Sequence, residues 1–276
     1  MTKVRASSAG RVIPAVLVTA IFLLPVYWML NTSFKERAGI FSRPPSFVPL
    51  PPTLDSYLAA FADPSITRAL LNTTIIAVGT TIVTLLIALP ASYGLARLRI
   101  PFLPAVLMLF LVVQMVPSVN LALPMFALFS NVGLVNTFPG LILANASLAI
   151  PLAITIMRPY FLSVPNDVIE AAKTDGCNTF TAFVRIAIPV SVPGVITVGV
   201  ITFLGAWGEF VFGLALATSE KLQPVTVVLA GLTNEFGIRW NDLMAASTII
   251  ALPVIVAFIF LQRYIVAGLT EGATKS

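Results

Sequence analysis

A chain with no histidine and a single cysteine, Cys177, has few ways to make or break bonds. Without an imidazole there is no Ser–His or Cys–His nucleophile pair and no zinc motif, and a lone thiol closes no internal disulfide. No Gly-x-x-x-x-Gly-Lys-Ser/Thr phosphate loop is present, so the chain lacks the ordinary means to bind and hydrolyse ATP. The ionisable residue that stands out is Glu209, in the apolar run Trp207-Gly208-Glu209-Phe210. An unpaired carboxylate in lipid costs about 3 kcal/mol on insertion scales, so it must face protein, water or a path for solute. Carboxylates and aromatic faces commonly meet sugar hydroxyls, and Trp207, Glu209 and Phe210 supply both. A hydrogen bond from Glu209 to a neighbouring helix accounts for it equally well. Gln114, Asn120 and Asn145 are further polar groups in apolar surroundings, where amides join helices together as readily as they touch solute.

The second group of informative residues is Glu170-Ala171-Ala172-Lys173-Thr174-Asp175-Gly176-Cys177, followed by Phe183, Ile186, Ile188-Pro189 and Pro193-Gly194. It is the most polar long segment of the chain and belongs in water. Pro165 is suited to open a helix, with Asp167 and Glu170 near its positive end, and Gly176 to close it. Ala171 and Ala172 are expected on the surface, where small side chains let another protein approach the backbone. Thr179 is the expected N-cap of a second short helix that Pro189 limits. The predicted product, over 163–189, is a helix, a glycine corner and a helix. As a solvated amphipathic loop it needs no partner; as a rigid knob it fits a cleft.

The elements that position these residues are membrane spans. Of 276 residues, 58% are hydrophobic and 10% charged, with a mean hydropathy of +0.99, which is more apolar surface than a soluble core hides. The net charge of +5 is scattered among apolar runs and not gathered on one face, so nucleic acid is not an expected partner. Apolar runs at about 12–30, 70–95, 102–128, 139–157, 194–217 and 243–266 each approach the roughly 20 residues that cross a bilayer core. The first, preceded by Lys3, Arg5 and Arg11, is read as an uncleaved span, because Tyr27-Trp28-Met29 stands where a cleavage site needs small residues. Pro44, Pro45, Pro49, Pro51 and Pro52 rule out continuous helix in the external loop from Asn31 to about Ile66. Gln114, Pro117, Asn120 and Pro124 are expected to bend or break the third span. The segment from Thr218 to Asp242 is a polar external loop. Arg97, Arg99 and Arg158 directly follow the second and fourth spans, and with both termini inside, ten of the 16 basic residues fall on the inner side. The expected fold class is all-α, a single polytopic membrane domain of six transmembrane helices with the 163–189 helix–corner–helix in the cytoplasm.

Glu-Ala-Ala, Asp-Gly three residues on and the later Ile188-Pro189 resemble the coupling loop, or EAA motif, of ABC importer permeases. The resemblance covers nearly the whole chain. Pro25 to Lys35, Ala96-Arg97-Leu98, Gly140 to Leu143, Gln262-Arg263-Tyr264 and Gly268-Leu269-Thr270 are similar to the shorter permease subunit of carbohydrate importers, the maltose-transporter type. Gly208 departs from the Asn frequent in that family, and Cys177 from its Ala. The resemblance implies the type I importer permease fold in a bacterial or archaeal plasma membrane. It implies a second, different permease subunit, two ATPase subunits that bind the ATP and Mg, and an extracytoplasmic solute-binding protein. Glu170, Ala171, Ala172, Asp175 and Gly176 become the ATPase-coupling residues, the segment from Thr218 to Asp242 reaches toward the binding protein, and the tail from Gly268 toward the ATPase pair. The implied cargo is a disaccharide or oligosaccharide, with glycerol phosphate or a polyol as the alternative. An ion-coupled secondary transporter, usually built of duplicated halves with midplane carboxylates, and a membrane enzyme are the competing classes.

Overall fold

The computed structural model describes the backbone of residues 3–234 and 237–273 and the side chains of residues 12–233, 239–256, 258 and 259. It is helical almost throughout. The elements are α1 (Lys3–Ser33), α2 (Arg37–Ile40), α3 (Asp55–Ala62), α4 (Pro64–Arg97), α5 (Leu103–Gln114), α6 (Ser118–Asn131) and α7 (Phe138–Ser163). They continue with α8 (Asn166–Thr174), α9 (Thr179–Ala182), a π-helical turn (Phe183–Ala187), α10 (Ile188–Val190) and α11 (Val192–Trp207). The remainder is α12 (Val211–Leu216), α13 (Val225–Gly231), a ribbon of β1 (Thr233–Asn234) and β2 (Gly237–Ile238), and α14 (Trp240–Ala273). In the antiparallel ribbon Thr233 lies opposite Ile238.

Among the described residues, three helices are long and apolar enough to cross a membrane: Val12–Ser33, Pro64–Arg97 and Phe138–Ser163. Two bent pairs raise the number to five, α5 with α6 at 95° and Thr179–Val190 with α11 at 79°. With that much apolar helix the chain is a multi-pass membrane protein. The sixth expected crossing, 243–266, falls in α14, whose described apolar part is Trp240–Val256. The side chains of Lys3, Arg5, Arg11, Gln262-Arg263-Tyr264 and the tail from Gly268 onward lie outside the described residues.

Several boundaries differ from the sequence expectation. The predicted break in the third span occurs at Pro117, which sits extended (φ −61°, ψ 136°), whereas Pro124 and Asn120 lie within α6. The expected fifth span stops at Trp207, and the chain restarts a helix only at Val211. Helix α4 begins at Pro64, not Leu70, because proline costs nothing in a first turn. The segment 218–242 is not wholly loop, since it contains α13 and the ribbon.

The chain divides into two compact units, Met1–Thr67 with Leu229–Pro253 and Arg68–Val228 with Val254–Ser276. In the first, the end of α1 clasps the proline-rich segment. Lys35, 4% exposed, donates to the Ser46 carbonyl at 2.6 Å and sits 4.9 Å above the Trp28 ring. Asn31 donates to the same carbonyl at 3.2 Å, and the Tyr27 hydroxyl to that of Phe47. Trp28 and Asn31 share a face of α1 and Lys35 follows just past its end, and together they hold a loop that proline bars from holding itself. Asp242 accepts from Arg37 at 3.4 Å and from Arg239 at 3.2 Å in the same unit.

In the second unit two large buried clusters hold the helices together. Ile76, Phe129, Leu141, Ala144, Phe212 and Leu216 join α4, α6, α7 and α12. Tyr93, Phe161 and Phe183, with ring centroids 4.9–6.0 Å apart, join α4, α7 and the π-helical turn. Such pairs add about 1 kcal/mol each beyond the area they bury.

Candidate functional site

Two places in the second unit hold most of the residues singled out by sequence: the exposed elbow between α7 and α11, and a cavity among α4, α7, α11 and the segment before α12.

At the elbow, Val164 and Pro165 are extended, so α7 ends and α8 begins one residue later, on a proline whose missing N–H is no loss. Asp167 lies in the first turn of α8 and Lys173 in the last, each matched to the helix dipole. The far end is a complete Schellman closure. Gly176 sits at φ +91°, its N–H donates to the Lys173 carbonyl at 3.1 Å, and the Cys177 N–H to that of Ala172 at 2.9 Å. Any side chain at φ +91° is strained, so glycine is required by conformation and not by space.

Ile169 and Ala172 are the buried face of α8, three residues apart, whereas Val168, Glu170, Ala171, Lys173 and Asp175 are exposed. The expectation that Ala172 lies on the surface is therefore corrected: the i, i+3 period puts it beside Ile169. A second correction concerns the next cap. Asn178, not Thr179, is the N-cap of α9, its Oδ1 accepting from the Thr181 N–H at 2.7 Å. The helix does not stop before Pro189 either. It widens into the π-helical turn, with the Ile188 N–H donating to Phe183, and runs to Val190. Proline cannot pair with the carbonyl four residues back, and a widened turn just upstream makes room for that carbonyl. Helix α11 starts at Val192 with Pro193 in its first turn, and a Cβ on Gly194 would lie 2.5 Å from the Tyr160 ring, so glycine lets α11 lie against α7.

The cavity, of about 250 Å³, is lined by Thr80, Asn145, Ala149, Thr202, Gly205 and Glu209 among others. Asn145 is 6% exposed and donates from Nδ2 to the Leu141 carbonyl at 2.8 Å. The Glu209 carboxylate accepts from the Phe212 N–H at 2.9 Å and the Gly213 N–H at 3.1 Å, so it caps α12. Its backbone carbonyl accepts from the Thr226 hydroxyl at 2.8 Å. Glu209 is thus hydrogen-bonded to helix backbone and also lines a cavity. Gly208 has φ −87°, which any residue adopts, and nothing nearer than 3.6 Å to its would-be Cβ, so its departure from Asn does not shape the backbone.

The other path candidates are elsewhere. Trp207 is buried against Phe203, Ala77 and Ala206 and is not among the residues lining the cavity, and its indole N–H has no partner among the described residues. Phe210 is partly exposed. Gln114 ends α5, donating to the Phe110 carbonyl at 3.3 Å, and Asn120 is exposed on α6. Sequence reasoning passed over Thr80, Thr202 and Gly205, hydroxyls and a gap within apolar helices, and it read Arg97 and Arg158 as loop charge only. Among the described residues no three His, Cys, Asp or Glu side chains gather where they could hold a metal ion.

Residues 86–271 match the family described as binding-protein-dependent transport system inner membrane component. The chain is 33% identical to the trehalose transport system permease protein of Mycobacterium tuberculosis, over 94% of both chains. It is 32% identical to the trehalose/maltose transport system permease protein of Thermococcus litoralis, over 96% of this chain and 95% of that one. It is 33% identical to the sulfoquinovosyl glycerol transport system permease protein of Agrobacterium fabrum, over 92% and 89%. In fold it is similar to a bacterial ABC transporter involved in the import of the acidic polysaccharide alginate, with TM-score 0.80 and 19% identity over 96% of this chain and 98% of that one. With the family model spanning most of the chain and relatives matching nearly end to end, the chain belongs to the binding-protein-dependent transport system inner membrane components, as a permease subunit of an ABC importer.

Proposed function

We propose that this permease forms half of the translocation path for a disaccharide or oligosaccharide, driven by an ATPase pair that seats the elbow. It crosses the membrane six times, with both termini in the cytoplasm. It pairs with a second, different permease and receives cargo from an extracytoplasmic solute-binding protein. The observation that carries this is the continuity of α7: one helix lines the cavity at Asn145 and ends at Ser163, where the elbow begins. Eighteen residues of helix span about 27 Å, so motion at the elbow is delivered to the cavity along one continuous helix. Exposed Glu170, Ala171 and Asp175 offer the ATPase a polar rim around small side chains, and Gly176 keeps the corner tight. The cavity supplies an amide, hydroxyls and the edge of a carboxylate within apolar walls, chemistry suited to a hydroxylated neutral solute. Relatives named for trehalose, trehalose/maltose and diacetylchitobiose transport support that class. The relative named for sulfoquinovosyl glycerol favours glycerol-bearing cargo as a second reading.

The test is reconstitution of the four-subunit membrane complex with its binding protein. Radiolabelled trehalose or maltose should enter only with ATP, and unlabelled glycerol phosphate should fail to compete. Competition by glycerol phosphate selects the second reading, and uptake by the isolated chain on an ion gradient without ATP overturns both.

A further inference from the structure

Two arginines at the ends of α4 and α7 exchange partners. Arg97, the last residue of α4, donates from Nη2 to the carbonyls of Phe161 at 2.8 Å and Val164 at 2.5 Å, which close α7, and from Nη1 to the Asn166 side chain that opens α8. Arg158, in the last turns of α7, donates from Nε to the carbonyl of Leu95, in the last turn of α4, at 3.1 Å. The last carbonyls of a helix have no partner within it and carry the negative end of its dipole, so each helix supplies the cation that the other's end lacks. The Tyr93, Phe161 and Phe183 rings pack the same two helix ends and the π-helical turn together from the apolar side. Covalently, the elbow continues into α7 and α11 only; α4 reaches it through side chains, these polar ones and the apolar packing of Tyr93, Leu89 and Leu95 in the same cluster.

We infer that Arg97 and Arg158 form a reciprocal clasp that makes the cytoplasmic end of α4 move with the elbow as one body, so that three spans and not two are driven from it. The inference rests on the docking of the elbow by the ATPase. Arg97 is a positioning residue here: its planar fork reaches two carbonyls and an amide oxygen at once, which the single ammonium of lysine cannot reproduce although it keeps the charge.

The test uses the assembled complex in nanodiscs with a Cys177→Ala background and spin labels at Leu98→Cys and Thr174→Cys, both exposed. With Arg97 in place, the distance between the labels should be one narrow population, unchanged between the nucleotide-free and ATP-bound states. Arg97→Lys should broaden it and make it shift with nucleotide, while trehalose or maltose carried per ATP falls at least 5-fold and basal ATPase activity stays within 2-fold. If Arg97→Lys does not assemble, Asn166→Ala, which removes one of the three contacts, is read in the same way with a smaller broadening. A nucleotide-dependent distance with Arg97 intact, or an unchanged narrow distance in the assembled variant, overturns the clasp. Failure of the docking itself is seen separately, as absence of a cross-link from Ala171→Cys to the ATPase, which leaves the label distance unaltered.

Discussion

The elbow and the cavity are both polar interruptions in an apolar chain, and they are built in opposite ways. At the elbow every special group is satisfied within a few residues: Gly176 with Lys173, Cys177 with Ala172, Asn178 with Thr181. In the cavity the polar residues come from four elements, Thr80 from α4, Asn145 from α7, Thr202 from α11, and Glu209 from the break before α12. The first is a shape imposed by local backbone chemistry and able to transmit force; the second exists only when the helices are packed and changes when they move. Under the proposed function the first serves as a stiff handle and the second as a chamber whose walls rearrange.

The largest effect is expected from breaking the stiff part. Gly176→Val forces a β-branched side chain to φ +91°, a strain of roughly 1–3 kcal/mol at the corner. Transport should fall more than 10-fold in proteoliposomes, with the ATPase pair released or its hydrolysis uncoupled on affinity purification. Glu170→Lys reverses an exposed charge on the same face without touching the corner. It should leave the permease folded by thermal melting in detergent yet cut transport several-fold; normal transport by both variants would dissolve the contrast.

The cavity should respond differently. A Cβ at Gly205 meets nothing within 4 Å, and the residue lines the cavity, so Gly205→Leu takes up chamber volume. We expect a 3- to 10-fold drop in uptake of trehalose or maltose, an unchanged melting temperature and an intact complex. A smaller effect comes from the cap: Glu209→Ala removes the acceptor of the Phe212 and Gly213 N–H groups and should cost about 1 kcal/mol, read as a few degrees of melting temperature. The smallest is Asn178→Ala, also a cap loss but on a helix of only four residues, expected to cost less than about 1 kcal/mol and to slow transport no more than 2-fold.

The same contrast explains what could be read before the fold was known. The Pro165 start, the Gly176 corner and the amphipathic turn between them are local, and their residue types announce them. The errors there are of one residue or one face: Asn178 caps where Thr179 was expected, and Ala172 turns inward because its neighbour in the helix is Ile169. In the cavity, Glu209 and Asn145 were visible as polar residues in apolar runs, but nothing in one dimension separates them from Trp207, Phe210, Gln114 and Asn120, which pack or point elsewhere. Which amides share a chamber depends on how α4, α7 and α11 face one another, and helix faces that are apolar all round carry little periodic signal of that. The break at Gly208–Phe210 was hidden for the same reason, since it is closed by a side chain already counted as part of a span. Arg97 and Arg158 were legible as charge at a membrane surface, and only the packed helices show which carbonyls they meet.

The central claim is that the elbow faces the cytoplasm and seats an ATPase. Its most direct test is site-specific cross-linking at Ala171→Cys in a Cys177→Ala background, in membranes that hold the whole transporter. The account predicts a cross-link to the ATPase subunit and no labelling by a membrane-impermeant thiol reagent added outside intact cells. Labelling from outside, with no ATPase adduct, would contradict it.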